Sequence, residues 1–595
     1  MRPAAPLVVE RSAHPRQRPV WLLEIETPGG AWRGASRPVS VGAAPWPCRL
    51  GRVQFRERLP ETGPPGGWIA TDAEVDVIET PTTAGGLRAA AAPAALLGAR
   101  ADLALAWLDP EAPPDFSLNP GDRVTLLRGV VVEFQVQPAS LRVRLADPLH
   151  ARASRPVGRL LHAALAGGEG PAVGRPLPWI FGRASRAELL PLRTGVATRL
   201  AADLAADATI VAVESLDGFP PAGYAQVGGE LILYHAVSTG GQTLGHAGSP
   251  VTREGAHAWT AGTEVRLRPP EGFVFLAADH PCHAVTMVFG DDRPAPTGDW
   301  TADDWDLGGV AAQAVRLSRW PTDPAGWFAR RICAAVEGLE LPDGTLMENP
   351  ADVIQCLLTH PRLLGLDASR LDLASFAGEQ ARLAAAGYRY ARRLTGAETL
   401  GALIAQAAAE SALLVGGEPI RLLRLEPTSR TEDAELHLHD ASVVDPRGRR
   451  GRATSHLRIA PAGDAGLTPT VIELIGKAAD GLQPASFSLP AGAAPAGAIP
   501  AGAIPKRISF HWLSFEAAGA VAEVAEVIGA RLAAPRIAID RIAAPRALLS
   551  STGAAVLVTD AALGLDALVG WIEDVTCVDF EVYVRIHAVG TAAAT

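Results

Sequence analysis

The feature that most constrains this chain is alternation. In "VWLLEIET", Trp21, Leu23 and Ile25 alternate with Leu22, Glu24 and Glu26. In "LALAWLD", Leu103, Leu105 and Trp107 share one face; in "GVVVEFQVQ", Val130, Val132, Phe134 and Val136 share another. In "SLRVRLAD", Leu141, Val143 and Leu145 oppose Arg142 and Arg144. Near the end, "CVDFEVYVRIHAV" sets Val578, Phe580, Val582, Val584 and Ile586 against Asp579, Glu581, Tyr583, Arg585 and His587. A strict period of two places one face against a core and the other against water. Many short strands of this kind in series, with turn signals such as "NPGD" at Asn119–Asp122, predict barrels or sandwiches rather than a helical fold.

Two stretches depart from that pattern without leaving the β class. "VGRPLPWIFGR" (Val173–Arg183) holds two prolines and glycines that oppose a helix or a central strand. It reads as an ordered loop with Trp179, Ile180 and Phe181 turned inward. From Ala206 to Arg268, "TIVAV", "YAQVG", "ELILYHAV" and "TEVRL" are joined by Gly, Pro and Asp turns and read as a small inserted β module. "FVFLA" and "AVTMVFGDD" continue as strands, and "PTGDWTADDWDLGG" reads as an exposed acidic turn anchored by Trp300 and Trp305.

The period then changes to helical between Asn349 and Val415. Asn349 is an N-cap, Pro350 takes the first helical position, where its missing N–H costs nothing, and Asp352 favours the positive helix end. Val353, Ile354, Leu357 and Leu358 form one apolar face, and His360-Pro361 ends the helix. A second helix is predicted from about Asp372 to Ala386 with Leu373, Phe376 and Ala377 inward. A third is predicted from the capping box of Thr395 with Glu398, carrying Leu400, Leu403, Ile404, Ala407, Ser411 and Leu414 to a stop at Gly416-Gly417. Strands return in "IRLLRLE", "ELHLHDA", "TVIELIG" and "ISFHWLSF", followed by an Ala-rich helix at about Ala517–Ala533. The repeat "PAGAAPAGAIPAGAIP" (Pro490–Pro505) has little to bury and reads as a linker.

Length and charge narrow the class. The 595 residues suffice for several domains, and the net charge of −10 offers no basic stripe for nucleic acid. Only Lys477 and Lys506 are lysine, so positive charge is almost all arginine. No apolar run approaches the length of a membrane span, and the N-terminus does not read as a secretory signal. Cys48, Cys282, Cys333, Cys356 and Cys577 are scattered without a CxxC pair, which predicts free thiols rather than a disulfide framework or zinc knuckle.

The chemistry-bearing motifs are sparse. There is no phosphate-binding GxxxxGK[ST], no HExxH and no GxSxG. "DHPCH" gathers Asp279, His280, Cys282 and His283, but zinc needs ligands from a second segment and no partner pair is evident. A strand-to-strand turn with hydrogen-bonded histidines is favoured over a metal site. Glu435, His437 and His439 in "ELHLHD" are better explained as the polar face of a strand. Asp299, Asp303, Asp304 and Asp306 match no calcium loop; Asp303, Asp304 and Asp306 are the local candidates for a carboxylate pair in a sugar cleft. The expectation is therefore no catalytic residue, no cofactor site, no metal site, and no enzyme.

Against this background one segment is diagnostic. "ENPADVIQCLLTHPRLLGLDASRLDLASFAGEQ", continuing to Leu425, resembles the central part of bacteriophage tail tip and baseplate hub proteins, including lambda-like tail tips. Asn349, Pro350, Ala351, Gly365, Leu366, Asp372 and Phe376 match that family's pattern. "VGRPLPWIFGR" is similar to a G-x-P-x-P-x-x-x-G loop of tail hubs. The module at Ala206–Arg268 is similar to a small tail-protein domain through Gly218, Phe219, Pro220, Gly223, Tyr224, Gly229, Glu230, Tyr234, His257, Gly262 and Val265, although the usual RGxxGT stretch is here "GHAGSPVT". The C-terminal strands resemble the closing β region of such hubs. Related gene-transfer-agent hubs carry a cysteine-ligated iron–sulfur site, and the cysteine spacing here does not provide one.

The resemblance implies a trimeric structural virion protein at the distal end of a tail, assembled in the bacterial cytoplasm. Its partners would be the distal tail protein, the tail tube, the tape measure protein and a central fibre or tip protein, with a role in host attachment and genome ejection. A receptor- or glycan-binding role, or a cell-wall-degrading one, is the alternative. The expected fold is mainly β with α+β parts. It comprises an N-terminal barrel-type domain (1–205), the inserted module (206–268), a β segment (269–348), a helical segment (349–416), a β domain (417–489), the linker (490–505) and a C-terminal α+β domain (506–595).

Overall fold

The computed structural model describes residues 6–13, 18–58, 67–79, 85–91, 93–109, 117–147, 156–162, 172–323, 327–396, 398–424, 436–438, 456–460, 471–478, 481–488, 505–514, 523–524, 536–543, 545–550, 552–560 and 565–588. The chain is mainly β and multidomain, with helices concentrated in the middle. It divides into two units. Met1–Arg155, Asn349–Tyr388 and Thr399–Thr595 form the first; Pro156–Glu348 and Arg389–Glu398 form the second. Most of Pro490–Pro505 and of the Ala-rich helix expected at Ala517–Ala533 lies outside the described residues.

In the first unit a 13-stranded sheet draws strands from both ends of the chain. Arg18–Thr27 lies between Gly30–Ala35 and Arg100–Leu108; the order continues through Arg123–Val136, Ser140–Ala146, Ala70–Ile78 and Leu50–Arg58. There the sheet passes to the C-terminal part. Leu50–Arg58 pairs antiparallel with Leu565–Val578, setting Phe55 opposite Cys577 and Arg56 opposite Thr576. The Arg56 guanidinium donates to Asp574 at 2.9 Å across 518 residues of sequence.

Alternation gives the core it promised on most strands. Trp21, Leu23, Ile25, Leu103, Leu105, Trp107, Leu141, Val143 and Leu145 are all buried in one cluster with Phe55, Val575 and Val584. The first strand is buried on both faces over its first half: Val20 and Leu22 pack into a second cluster with Trp46 and Leu118. In Arg123–Val136 the expected face holds only in part, with Phe134 packed against the same cluster. Val131 is buried, while Val132 and Val136 are exposed. Register shifts between Thr125 and Leu127 and between Val131 and Glu133 each add a residue, and an added residue moves the following side chains to the other face.

The final alternating run is also not one strand. Leu565–Val578 and Glu581–Ala588 form a hairpin, and Asp579-Phe580 is its turn. Both turn residues have positive φ, 49° and 74°, the conformation a two-residue hairpin requires but one that a bulky side chain resists. Two contacts hold it. Asp579 Oδ1 accepts from the Val53 N–H at 3.1 Å, and the Phe580 ring stacks on Trp21 at 5.8 Å.

The central helices form as the caps dictate. Pro350–Thr359 begins at Asn349, whose side chain accepts from Ala351 N–H at 3.0 Å and whose Nδ2 donates to Gln380 O at 2.9 Å. Val353, Ile354, Leu357 and Leu358 are buried. Gly365, at φ +62°, carries the chain out of this helix. Leu373–Ala385 is capped by Asp372, but only Phe376 and Leu383 are buried; Leu373 and Ala377 face solvent. The third helix, Leu400–Glu410, is capped by Thr399 rather than Thr395, because Glu398 is engaged with Arg392 at 2.6 Å. It ends at Ser411. Gly416-Gly417 serves instead the turn of a hairpin between Leu413–Gly416 and Arg421–Arg424, so Leu414 is a strand residue.

In the second unit, Trp179–Phe181 is a short strand rather than a loop, paired with Arg392–Leu394, and its three side chains are buried as expected. Gly182 at φ +60° must be glycine: a Cβ there would lie 2.0 Å from Tyr390 O. The inserted module has its own core of Val211, Ala225, Val227, Ile232, Tyr234 and Val265, and its sheet begins already at Ala197–Arg199. Two sheets of four strands form the rest, around Phe273, Phe275, Val315, Trp320 and Val336. Trp300–Asp306, expected as a turn, is an edge strand paired with Ala311–Leu317. Its aspartates discourage pairing with further chains.

Removing the first helical cap tests this account. Asn349→Ala is expected to cost about 1–2 kcal/mol, through the lost cap and the lost bond to Gln380. Asn349→Asp keeps the cap acceptor and should fall between the two. Urea denaturation read by circular dichroism checks the order.

Candidate functional site

Most of the clusters singled out in the sequence lie in the second unit. The strand Phe273–Ala278 delivers Asp279 and His280 into the interior, where they are 2% and 3% exposed. Asp279 is held bidentately by Arg159, with bonds of 2.8–3.1 Å. His280 is fixed at both ring nitrogens. Nε2 accepts from the Ile180 N–H at 3.0 Å and Nδ1 faces Pro281 O at 2.7 Å. That geometry requires a neutral ring with the proton on Nδ1, and it occupies the lone pair a metal would need.

Cys282 and the acidic strand, far apart as motifs, are neighbours. The Cys282 N–H donates to Gln313 Oε1 at 3.2 Å, and Gln313 Nε2 donates to Asp303 O at 3.1 Å. Burial, with the charge of Asp304, pushes the Cys282 thiol up to about 12, so it remains protonated at neutral pH. Asp303 itself pairs with Arg316 at 3.3 Å, and Asp306 accepts from Gly309 N–H. His283 points instead toward Glu340 and Glu337, at 3.2 and 3.7 Å. Among the described residues no group of three or more His, Cys, Asp or Glu is placed to hold a metal ion. Of "ELHLHD", His437 lies on the short strand Leu436–Leu438, while Glu435 and His439 fall outside the described residues.

The most highly organised polar centre is Glu230, one of the residues carrying the module's resemblance. Its side chain is 1% exposed. It accepts from Arg253 Nε at 2.7 Å and Nη2 at 2.8 Å, from Trp259 Nε1 at 3.0 Å and from His257 N–H at 3.2 Å. Burial alone would raise its pKa, but the Arg253, Trp259 and His257 donors together hold it below the ordinary glutamate value. Arg253 also donates to the main-chain oxygen of Ala205, so this one carboxylate fastens a strand, a loop and the entry to the module. All four donors are committed internally, which makes Glu230 a structural centre and leaves no proton for chemistry.

The first unit contains a cleft of 710 Å³ that no sequence motif announced. Its floor is the sheet at Glu24, Glu26, Asp102 and Arg128, and its wall is the turn Gly365–Arg370 that follows the Asn349-capped helix. Burial raises the Asp102 pKa; Arg128 and Arg123 oppose this, and Glu24, directly across the strand pair, reinforces it. Beside it, Arg370 donates to Glu418 at 2.8 Å and to Arg128 O at 3.2 Å. Burial raises Glu418 as well, against both arginines. Sequence alone could not mark this cleft, because Glu24 faces Asp102 only through the strand pairing.

No family model matches the chain, and no curated protein matches it. Solved structures do match. The tail protein from Neisseria meningitidis MC58 is 9% identical, with a TM-score of 0.34 over 96% of each chain. The 43 kDa tail protein of prophage MuSo2 from Shewanella oneidensis is 9% identical, with a TM-score of 0.34 over 96% of this chain and 98% of that one. A chain of the native gene transfer agent virion is 15% identical, with a TM-score of 0.37 over 74% of this chain and 89% of that one. With every TM-score below 0.5, no residue role is transferred from these structures.

Glu230→Ala leaves the buried Arg253 without its partner and is expected to destabilise the module by about 3–5 kcal/mol. Because folding lowers the Glu230 pKa, its contribution is complete above the unfolded glutamate value of about 4.3 and disappears as pH falls through the folded value. The gap between wild type and variant should therefore close in acid. Hydrogen exchange over residues 206–268 at neutral and acidic pH measures it.

Proposed function

We propose that this chain is a structural component of a phage-type tail, and specifically the hub at its distal end. The observation that carries the proposal is the correspondence between resemblance and architecture. Asn349, Asp372 and Phe376, which match the tail-hub pattern, are the residues that start two helices and anchor one of them. Gly365 supplies the left-handed turn between those helices, and Glu230 is the centre of the module. A resemblance concentrated in residues that set local structure supports a shared scaffold rather than a shared reaction.

On this reading the protein assembles as a homotrimer, closes the tail tube, and passes from sixfold to threefold symmetry. Its neighbours are the distal tail protein, the tube, the tape measure protein and a central fibre. Sheet edges and loops provide the intersubunit contacts, as symmetric assemblies require. On this reading it performs no turnover; the spread of the Trp300–Asp306 carboxylates along an edge strand, with Asp303 tied to Arg316, supports that reading.

Native mass spectrometry of the purified protein is expected to give three times the 62.0 kDa chain mass, and tails should contain the protein at their distal end by immunogold labelling. A stable monomer that never enters tails overturns the proposal. So does release of soluble fragments from peptidoglycan or polysaccharide by the purified protein.

A further inference from the structure

The sheets of the second unit end in strands paired on one side only, and among the described residues most of these edges are blunted. Arg183–Glu188 and Leu190–Arg193 are interrupted by register shifts. Arg293–Pro294 is two residues long and ends in proline. The edges of the inserted module's larger sheet, Ala197–Arg199 and Thr252–Glu254, have three residues each. Trp300–Asp306 is different. It is seven residues long and contains no proline. It keeps one unbroken register with Ala311–Leu317, from Trp300 opposite Leu317 to Asp306 opposite Ala311.

Its other side is open. Among the described residues, the main-chain hydrogen bonds of Trp300–Asp306 all go to Ala311–Leu317, including that of Asp303 O, which accepts from the Gln313 side chain at 3.1 Å. The strand is anchored from both faces. Trp300 packs against the core around Phe273 and Val315. Trp305 packs against the core of Leu190, Leu276 and Leu307, with the Arg193 guanidinium 5.5 Å from its ring. A long, regular and anchored edge presents a row of N–H and C=O groups to an added strand with little ordering cost.

Charge decides which strand. The edge carries Asp303, Asp304 and Asp306 and no basic residue, and Arg316, which pairs with Asp303 at 3.3 Å, is the one cation on the neighbouring strand. Asp304 and Asp306 are exposed and two residues apart, hence on one face. Asp306 gives one oxygen to the Gly309 N–H, and Asp304 is in no hydrogen bond or ion pair among the described residues. The charge that keeps most chains off this edge, further copies of this acidic protein included, makes an exception for a basic one. We propose that Trp300–Asp306 is the docking edge for an extended basic segment of a partner protein. The segment adds to the four-stranded sheet as a fifth strand, bonds through its main chain, and sets alternate Lys or Arg side chains against Asp304 and Asp306. The surface does not depend on the hub assignment.

The test uses the full-length protein and three fluorescein-labelled peptides read by anisotropy. The first is Thr-Val-Arg-Val-Arg-Val-Thr, and the second has Glu in place of each Arg. The third is the basic peptide with its central Val replaced by Pro, which keeps the charge but breaks the ladder. The basic peptide is expected to bind with Kd of about 0.1 mM or tighter, and the other two at least about tenfold more weakly. Its binding should slow amide exchange over residues 300–306. Asp304→Lys should weaken it at least about threefold with unchanged thermal unfolding, and Asp304→Asn should fall between. No binding by the basic peptide, equal binding by the proline peptide, unchanged binding by Asp304→Lys, or protection away from residues 300–306 each overturns the proposal. The mass of the assembly in the same samples reports separately on the trimer.

Discussion

The first unit depends on one pairing, that of Leu50–Arg58 with Leu565–Val578. Each strand has other neighbours, but among the described residues this is the ladder that joins the N-terminal run of the sheet to its C-terminal run. It is reinforced wherever it meets solvent or a turn. Arg56 reaches Asp574, Asp579 exchanges hydrogen bonds with Val53, and Phe580 lies on Trp21. Glu57 adds a buried tie by accepting from Thr552 N–H at 2.6 Å. The strained conformation of Phe580 is tolerated because stacking on a buried tryptophan offsets the cost of a left-handed aromatic residue, of order 1–3 kcal/mol.

What was legible in the sequence follows from what alternation encodes. Period two identifies strands and faces, and for Trp21, Leu103 and Leu141 it placed the right side chains in the core. It does not identify partners, because any alternating strand can pair with any other; nothing local in Phe55 points to Cys577. It also fails where a residue is added, as in Arg123–Val136, since a bulge depends on the neighbouring strand. Caps were readable when one candidate dominated, as at Asn349. At the third helix the capping-box reading of Thr395 with Glu398 fails: Thr399 is the cap, and Glu398 pairs with Arg392.

The candidate sites show the same division. Asp279 and His280 were visible as potential ligands, but their neutralisation by Arg159 and Ile180 was not, because these partners are 120 and 100 residues away. Glu230 stood out through resemblance, whereas its partner Arg253 had no distinguishing local pattern. The cleft of the first unit is a product of packing between segments remote in sequence, and it carries no contiguous motif. The buried polar groups Asp279, His280 and Glu230 are used for architecture.

The terminal hairpin has a consequence for synthesis. The ribosome makes Leu50–Arg58 long before its partner, so that strand must wait with an open edge while more than five hundred residues emerge. Unpaired edges invite wrong partners, and long-range ladders form late. A chain that stops short of residue 565 can never complete its sheet. Prematurely terminated products are thus marked by an exposed edge.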